Sequence, residues 1–151
     1  MIKWTSEVGK KNGLVIVIKT SDMGGIRGRR PRITFGCERG GYYRTKPKET
    51  YGDSKKKVRM TGTKKCGCLF SLKGKKLAND DDWCLKVICG VHNHPAADYL
   101  EGHSYAGRLS NEETSLLIDM SKSLVRPKEI LTTLKQKNEL NVSTLKTIYN
   151  V

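Results

Sequence analysis

The residues of this chain best suited to chemistry are cysteines and histidines in three groups. Cys37 stands alone, Cys66 and Cys68 flank one glycine, and His92 and His94 flank one asparagine. Structural zinc sites take four nitrogen or sulfur ligands in a tetrahedron, commonly as pairs from different parts of the chain. In extended backbone, alternate residues point to the same side, so the two histidines would present both imidazoles together. The spacing therefore predicts a Zn²⁺ site built from thiolates and imidazoles.

Residue type and spacing do not decide whether Cys66 or Cys68 is the zinc ligand. Cys66 and Cys68 lie in a stretch whose alternation as far as Leu72 is typical of a half-buried strand, so both side chains would point the same way. A turn over 74–82 and a partner strand over 83–89 would then bring this stretch close to the histidine pair. A metal at that hairpin would replace part of a core for which the apolar content, 36%, is low.

The remaining sulfur and imidazole groups are predicted to have structural roles. Cys84 and Cys89 lie in the apolar partner strand, where a thiol behaves as a small buried hydrophobe. His103 lies in a segment rich in glycine and serine and is expected to be a surface or capping residue. Four Cys and His ligands leave no open position for substrate, and no carboxylate flanks the histidine pair, so an enzyme is not expected.

The net charge of +14 is confined to one third of the chain. Residues 27–76 hold 17 lysines and arginines against three acidic residues, whereas the remainder holds 12 of each sign. A localised basic block is suited to a polyanion. No apolar run approaches the roughly 20 residues of a spanning helix, and the N-terminal sequence lacks the apolar core of a signal peptide, so no membrane partner is expected. Five cysteines without such a signal indicate a reducing compartment, which favours metal ligation over disulfides.

The segments that must position these groups are β-rich in the first part of the chain. A short helix over 3–12, a buried strand over 14–18 and a second strand over 33–37 precede a lysine-rich loop over 45–64. Together with the later hairpin, these strands predict a small antiparallel sheet. The predicted fold class is α+β, with this sheet followed by a short helical segment.

Helical signals begin after a joint over 96–109. Ser110 and Glu113 fit a capping box, in which the hydroxyl and the carboxylate satisfy first-turn amides reciprocally. Pro127 suits the first position of a second helix, and Ser143 is expected to cap a short third one. This part of the chain is predicted to be helical and neutral in charge.

Five stretches of the chain also carry a family resemblance. They read GCERGGY at 36–42, KCGCLF at 65–70, VICGVHNHP at 87–95, GHSYAGRL at 102–109 and VRPKEIL at 125–131. The spacing of 23 residues between Cys68 and the histidine pair resembles the second half of the zinc-finger pattern of WRKY transcription factors of plants. From about residue 10 onward, the chain more closely resembles the N-terminal part of plant far-red-impaired-response (FAR) family proteins and of the Mutator-like transposases from which they derive.

The resemblance implies a WRKY-like sheet of four or five antiparallel strands over residues 1–96, with a Cys2His2 zinc site at its edge. Residues 97–151 would form a helical extension leading toward a transposase-like domain that this sequence lacks. The implied zinc ligands are Cys37, one of Cys66 and Cys68, His92 and His94. WRKY-like spacing favours Cys68, whereas a register aligned on Leu72 favours Cys66. The heptapeptide that names the WRKY family is absent, so its base-reading residues cannot be carried over.

The resemblance further implies sequence-directed binding to double-stranded DNA, transcription regulation and a nuclear location. By analogy, the strand ahead of Cys37 would face a groove while arginines and lysines contact phosphates. The predicted DNA-binding residues are Lys19, Arg27, Arg29, Arg30, Arg32, Lys55, Lys56, Lys57, Arg59, Lys64 and Lys65. The alternative interpretation is a protein-interaction module, in which the helical C-terminal segment docks a protein partner and the basic half binds nucleic acid incidentally.

Overall fold

The computed structural model describes residues 1–24, 29–42, 62–78 and 82–151. Within these ranges the chain forms an α+β fold with one four-stranded antiparallel sheet, which confirms the predicted fold class. The helices and strands in chain order are α1 (Ile2–Lys11), β1 (Ile16–Asp22), β2 (Arg32–Cys37), β3 (Ser71–Lys76), β4 (Trp83–Cys89), α2 (Asn111–Lys122), α3 (Pro127–Lys137) and α4 (Leu145–Tyr149). None of these described helices has the length and apolar content needed to cross a membrane.

The sheet has the strand order β1-β2-β3-β4, and each strand pairs with its neighbour in antiparallel fashion. The first strand was predicted over 14–18, but it begins and ends later in the chain. It pairs with β2 from Ile16 to Asp22, through a bulge at Lys19. Val15 lies just before the strand and is buried in a separate apolar cluster. The pairing partner, and not the apolar run alone, therefore determines where β1 begins and ends.

The prediction of a strand from Cys66 to Leu72 was wrong for most of its length. Residues 62–70 have no regular secondary structure, and β3 runs through the segment predicted to be the start of a turn. Leu72 and Gly74 are buried there, while the lysines between and after them are at least partly exposed. A strand with so few apolar side chains forms because β2 and β4 hydrogen-bond to it on both sides.

One face of the sheet, which we call the core face, carries the apolar side chains. Ile33, Phe35 and Leu72 are buried there, with Met1, Ile16, Phe70, Trp83 and Leu85 packed around them. Met1 lies directly over Gly74, so the start of α1 covers this face. On the opposite face, Val17 of β1 packs against the cluster of Val15, Leu100 and Ala106. The charged side chains of β2, β3 and β4 on that face are exposed.

The helical part follows its sequence signals closely. Ser110 caps α2, and both hydrogen bonds of its capping box with Glu113 are present. Pro127 occupies the first turn of α3 as predicted. The third helix begins one residue later than expected, because Thr144 is its cap and Ser143 is instead buried against Asn141. The core of this part consists of Leu117, Ile130, Leu134 and Ile148.

The segment between sheet and helices packs against β1. Leu100 and Ala106 form a small buried cluster with Val15, and the amide of Ala97 donates a hydrogen bond of 2.8 Å to the carbonyl of Gly13. These contacts join residues 1–96 to residues 97–151. The division of the chain into two domains at this boundary stays a prediction. The segment thus holds the start of β1 beside the residues that follow β2 and β4.

Candidate metal centre

Four of the predicted ligands come together at one end of the sheet. The Sγ atoms of Cys37 and Cys68 and one ring nitrogen each of His92 and His94 all lie within 4.8 Å of one another. Both cysteines are buried and both histidines are half-buried. Cys37 ends β2, Cys68 precedes β3, and the histidines follow β4, so three strands deliver donors to one point. The cluster is therefore close enough to hold a metal ion.

The spacing of the donor atoms agrees with a tetrahedral ion. Cys37 Sγ lies 3.1 Å from His94 Nε2, and Cys68 Sγ lies 3.4 Å from His92 Nδ1. The two facing ring nitrogens are 3.4 Å apart. Bond lengths of about 2.05 Å to nitrogen and about 2.3 Å to sulfur place tetrahedral neighbours about 3.3–3.8 Å apart, the longest being the sulfur–sulfur pair. The three contacts of 3.1–3.4 Å are within a few tenths of an ångström of the corresponding tetrahedral distances, and the whole set, within 4.8 Å, would contract slightly around an ion of zinc's size.

His94 is prepared for ligation by a hydrogen bond on the far side of its ring. Its Nδ1 donates to the carbonyl oxygen of Pro95 at 2.9 Å. In a neutral imidazole that bond leaves Nε2 unprotonated, and Nε2 is the atom that faces Cys37. An outer hydrogen bond of this kind is the common way of fixing the tautomer and orientation of a metal-binding histidine.

His92 is held by a different contact. Its ring stacks on the ring of Phe70, with centroids 4.2 Å apart and planes 19° from parallel. Its Nδ1 faces the cluster, and its buried Nε2 has no hydrogen-bond partner among the described residues. Metal at Nδ1 would leave the ring proton on Nε2. Phe70 was not predicted from the sequence to be part of the site; the one signal for it is its place two residues after Cys68 in the GCLF stretch.

The structure distinguishes Cys66 from Cys68, the two neighbouring thiols between which the sequence did not decide. Gly67 has a φ of +70°, a conformation that favours glycine, so the chain reverses between them. Cys68 is buried in the cluster, whereas Cys66 is exposed. The expectation that both point the same way was wrong, because they lie in this irregular loop and not in a strand.

Cys66 instead supports the loop from outside the cluster. Its thiol donates to Asn93 Oδ1 at 3.4 Å, and Asn93 Nδ2 donates to the carbonyl of Cys66 at 2.9 Å. The amides of Cys66 and Cys68 both donate to the carbonyl of Arg39. The amide of Arg39 in turn points to Cys37 Sγ at 3.4 Å. The three ligand-bearing segments are therefore tied together by the residues that lie between and after the ligands.

The protonation of the cluster suits a divalent cation. Burial raises the pKa of the Cys37 thiol to about 11, and the neighbouring Cys68 adds to this effect. Burial also lowers the pKa of His92, and the nearby His94 acts in the same direction, so the ring is neutral at pH 7. A bound cation would supply the positive charge that makes a buried thiolate favourable. The donor set therefore fits a soft or borderline ion such as Zn²⁺.

Two residues near the cluster have roles that the sequence did not indicate. His103 Nδ1 lies 3.1 Å from a carboxylate oxygen of Glu38, and the side chains are 13% and 12% exposed. Glu38 directly follows Cys37, so this contact joins the segment after the sheet to the metal cluster. Lys64, which was predicted to contact DNA, lies 3.7 Å from the other carboxylate oxygen. The expectation that His103 is only a surface or capping residue was therefore wrong.

The other cysteines are not part of the cluster. Cys84 is exposed, contrary to the expectation that it is buried in an apolar strand, and Cys89 is intermediate in exposure. Both lie in β4, and Cys84 is the partner of Lys75 on the face opposite the apolar cluster, which explains its exposure. Within the described residues, neither belongs to a group that could hold a metal ion.

The predicted DNA-binding residues lie partly within the described ranges. Lys19 is exposed at the bulge of β1, and Arg32 is exposed at the start of β2. Arg29, Arg30 and Lys65 are also exposed. Five of the predicted residues lie outside the described ranges, namely Arg27, Lys55, Lys56, Lys57 and Arg59. Comparisons with protein-family models, curated proteins and solved structures give no match to this chain.

Proposed function

We propose that this chain is a zinc-dependent DNA-binding module in which the metal has a structural role. The observation that carries the proposal is that the Cys/His cluster draws half of its residues from the part of the chain that holds the entire net charge. Two of its ligands, Cys37 and Cys68, lie inside the basic block 27–76. A metal that fixes this block would hold its cations in a defined arrangement, as binding to a polyanion requires.

The donor set supports zinc in a structural and not a catalytic role. Two thiolates and two imidazoles are a common structural zinc set, whereas catalytic zinc keeps one position for water or substrate. The nearest carboxylate along the chain, Glu38, is engaged by His103 and Lys64. Four protein donors with no carboxylate poised as a base favour a folding role over hydrolysis.

The resemblance to FAR proteins and Mutator-like transposases narrows the polyanion to double-stranded DNA. On that basis the module is of transposase descent and acts in the nucleus, in transcription regulation. The GCERGGY, KCGCLF and VICGVHNHP stretches contain the four clustered residues. The proposal therefore rests on the resemblance for the choice of DNA and on the cluster and the charge for the metal and the polyanion.

Metal analysis of the purified chain, combined with selection from random duplex DNA, tests this function. We expect one zinc per chain, an enriched sequence motif and an affinity that falls steeply with salt. The log–log slope should be about −0.9 for each phosphate contacted. Zinc with no enriched motif would contradict sequence-directed binding. An affinity that hardly changes between low and physiological salt would contradict the electrostatic basis of the proposal.

A protein-interaction function is the second candidate, and one observation favours it. Leu124, between α2 and α3, is 90% exposed and has a φ of +58°, which is unusual for a leucine. Ile118 and Tyr149 are exposed on the same helical part. A protein partner captured by the full chain after nuclease treatment and in high salt, and lost with Leu124→Ser, would favour this candidate.

A further inference from the structure

We infer that the face of the sheet opposite α1 is a phosphate-binding surface that holds a DNA backbone without reading its sequence. This inference rests on the proposed DNA-binding function and adds to it where the phosphates bind. We call this surface the open face and define it by its five cationic side chains, Lys19, Arg32, Lys73, Lys75 and Lys86. Only two of these, Lys19 and Arg32, were predicted from the sequence.

The strand register places all five cations on one face. Ile33, Phe35 and Leu72 point to the core face, so their neighbours along β2 and β3 point away from it. Arg32 is the partner of Lys75, and Lys73 is the partner of Lys86. Partners directly opposite each other share a face, so these four side chains extend to the same side of the sheet. All four are exposed.

Lys19 joins them from the bulge in β1. Its Cε lies 2.1 Å from the position that a Cβ on Gly36 would occupy, and its Nζ lies 2.7 Å from the corresponding position at Gly40. Glycine at 36 is therefore what allows the lysine side chain to lie flat across β2. All four strands consequently contribute a cation to the open face.

These cations repel one another, and none of the five forms an ion pair within the described part of the chain. Lys73 opposite Lys86 and Arg32 opposite Lys75 are like charges in directly paired positions, which destabilises a sheet. Among the described strand residues, the one acidic side chain on this face is Asp22, which is the direct partner of Arg32 and offsets part of its charge. The Asp22 carboxylate also accepts a hydrogen bond from the amide of Gly24. The arrangement weakens the fold and is suited to an external anion.

The dimensions of the open face fit a duplex backbone. Four strands at about 4.8 Å spacing extend across about 14 Å, and Lys73 and Lys75 are about 7 Å apart along β3. A duplex carries one charge per about 1.7 Å, so about 14 Å of its axis presents about eight phosphates on all sides. About half of these can face the protein at once, which is close to the five cations available. A flat surface reaches phosphates and not base edges, so its contribution is independent of sequence.

Salt-dependent binding of the zinc-loaded full chain to two duplexes of unrelated sequence tests the inference. The variant Lys73→Gln with Lys86→Gln removes one opposed pair from the open face. The control Lys128→Gln with Lys146→Gln makes the same charge change on exposed lysines of α3 and α4. We expect the open-face variant to reduce the log–log salt slope by about 1.8 for both duplexes and to weaken binding about 10- to 30-fold near 0.15 M salt. The control should leave the slope unchanged.

The same variant gives a second readout of opposite sign. Because a repulsive pair is removed, its Tm should rise by about 1–4 °C while its DNA affinity falls. A variant that loses DNA affinity because it misfolds would instead have a lower Tm as well as a lower affinity. If the wild-type chain binds DNA and the open-face variant keeps its salt slope, the inference fails and the proposed function stands. If the wild-type chain binds neither duplex, the inference and the proposed DNA-binding function both fail. Equal binding of phosphatidylserine vesicles through the same lysines would also overturn the inference.

Discussion

The sheet region and the helical part of this molecule differ in the interactions that can stabilise them. Around the sheet, three buried residues and five partly buried ones form the apolar cluster, and the strand ends meet at four side chains that could hold a metal ion. In the helical part, four buried residues and five partly buried ones form a core drawn entirely from residues after 108. We propose that metal ligation adds to apolar burial in the first region, whereas the second region depends on apolar burial alone. The comparison implies that each can be weakened without direct loss of the other's main interaction.

The largest effect should come from removing the metal from the sheet region. Structural zinc sites contribute about 10–16 kcal/mol of apparent binding free energy in zinc-finger peptides, which is comparable with the whole free energy of unfolding of a small domain, about 5–15 kcal/mol. We expect chelation, or Cys68→Ala, to abolish the near-UV circular dichroism signal of Trp83 in β4 while helical far-UV signal from α2 and α3 persists. Cys66→Ala is the matched control and should keep both zinc and signal, because Cys66 lies outside the cluster.

The outcome of chelation decides whether the comparison holds. A near-UV signal that is unchanged in fully metal-free protein would show that the sheet does not depend on ligation. Simultaneous loss of all helical signal would show that the two regions unfold as one unit. The contact of His103 with Glu38 and the packing of Leu100 on Val15 are the interactions through which such coupling would act.

The next largest effect should come from opening a cavity in the helical core. Leu134 is 1% exposed, and replacing a fully buried leucine by alanine costs about 2–5 kcal/mol. We expect Leu134→Ala to lower the thermal stability of the helical part while zinc stoichiometry and the Trp83 signal are unchanged. Leu124→Ala removes the same atoms from a side chain that is 90% exposed and should change the free energy of unfolding by no more than about 0.5 kcal/mol. Loss of zinc from the Leu134 variant would contradict separate stabilisation.

The same contrast explains how much could be predicted from the sequence. The helical part was predicted closely, because its signals are local: the capping box at Ser110 and the proline at 127 act on the turn in which they lie. The edge strand β4 matched its predicted range for the same reason, since six of its seven residues are apolar. Local signals set helix ends here, and tertiary context changed the start of α4 by one residue.

The sheet and the metal cluster depend on contacts between distant residues. β3 was misplaced because its lysine-rich sequence has little strand preference of its own and is selected by pairing with β2 and β4. Cys37, His92 and His94 were predicted from residue type and spacing, but the choice of Cys68 over Cys66 depends on the reversal at Gly67. The repulsive pairs of the open face likewise follow from register, which no single segment specifies.

The smallest effect concerns Glu113, and it tests the helical region by charge. Burial opposes ionisation of Glu113, but hydrogen bonds from Ser110, Asn138 and Asn141 outweigh it and lower the pKa of this carboxyl. A lowered folded-state pKa contributes stability that is present above about pH 4.3 and is lost as the pH falls through the folded value. The measurement uses chelated protein, because release of zinc in acid would otherwise add to the pH dependence of stability. Glu113→Gln should lower the stability of the helical part by about 1 kcal/mol at pH 7 and flatten its acid dependence. Glu112→Gln, an exposed change in the same turn, should keep the wild-type acid dependence, and an identical response of both variants would contradict the role of this network.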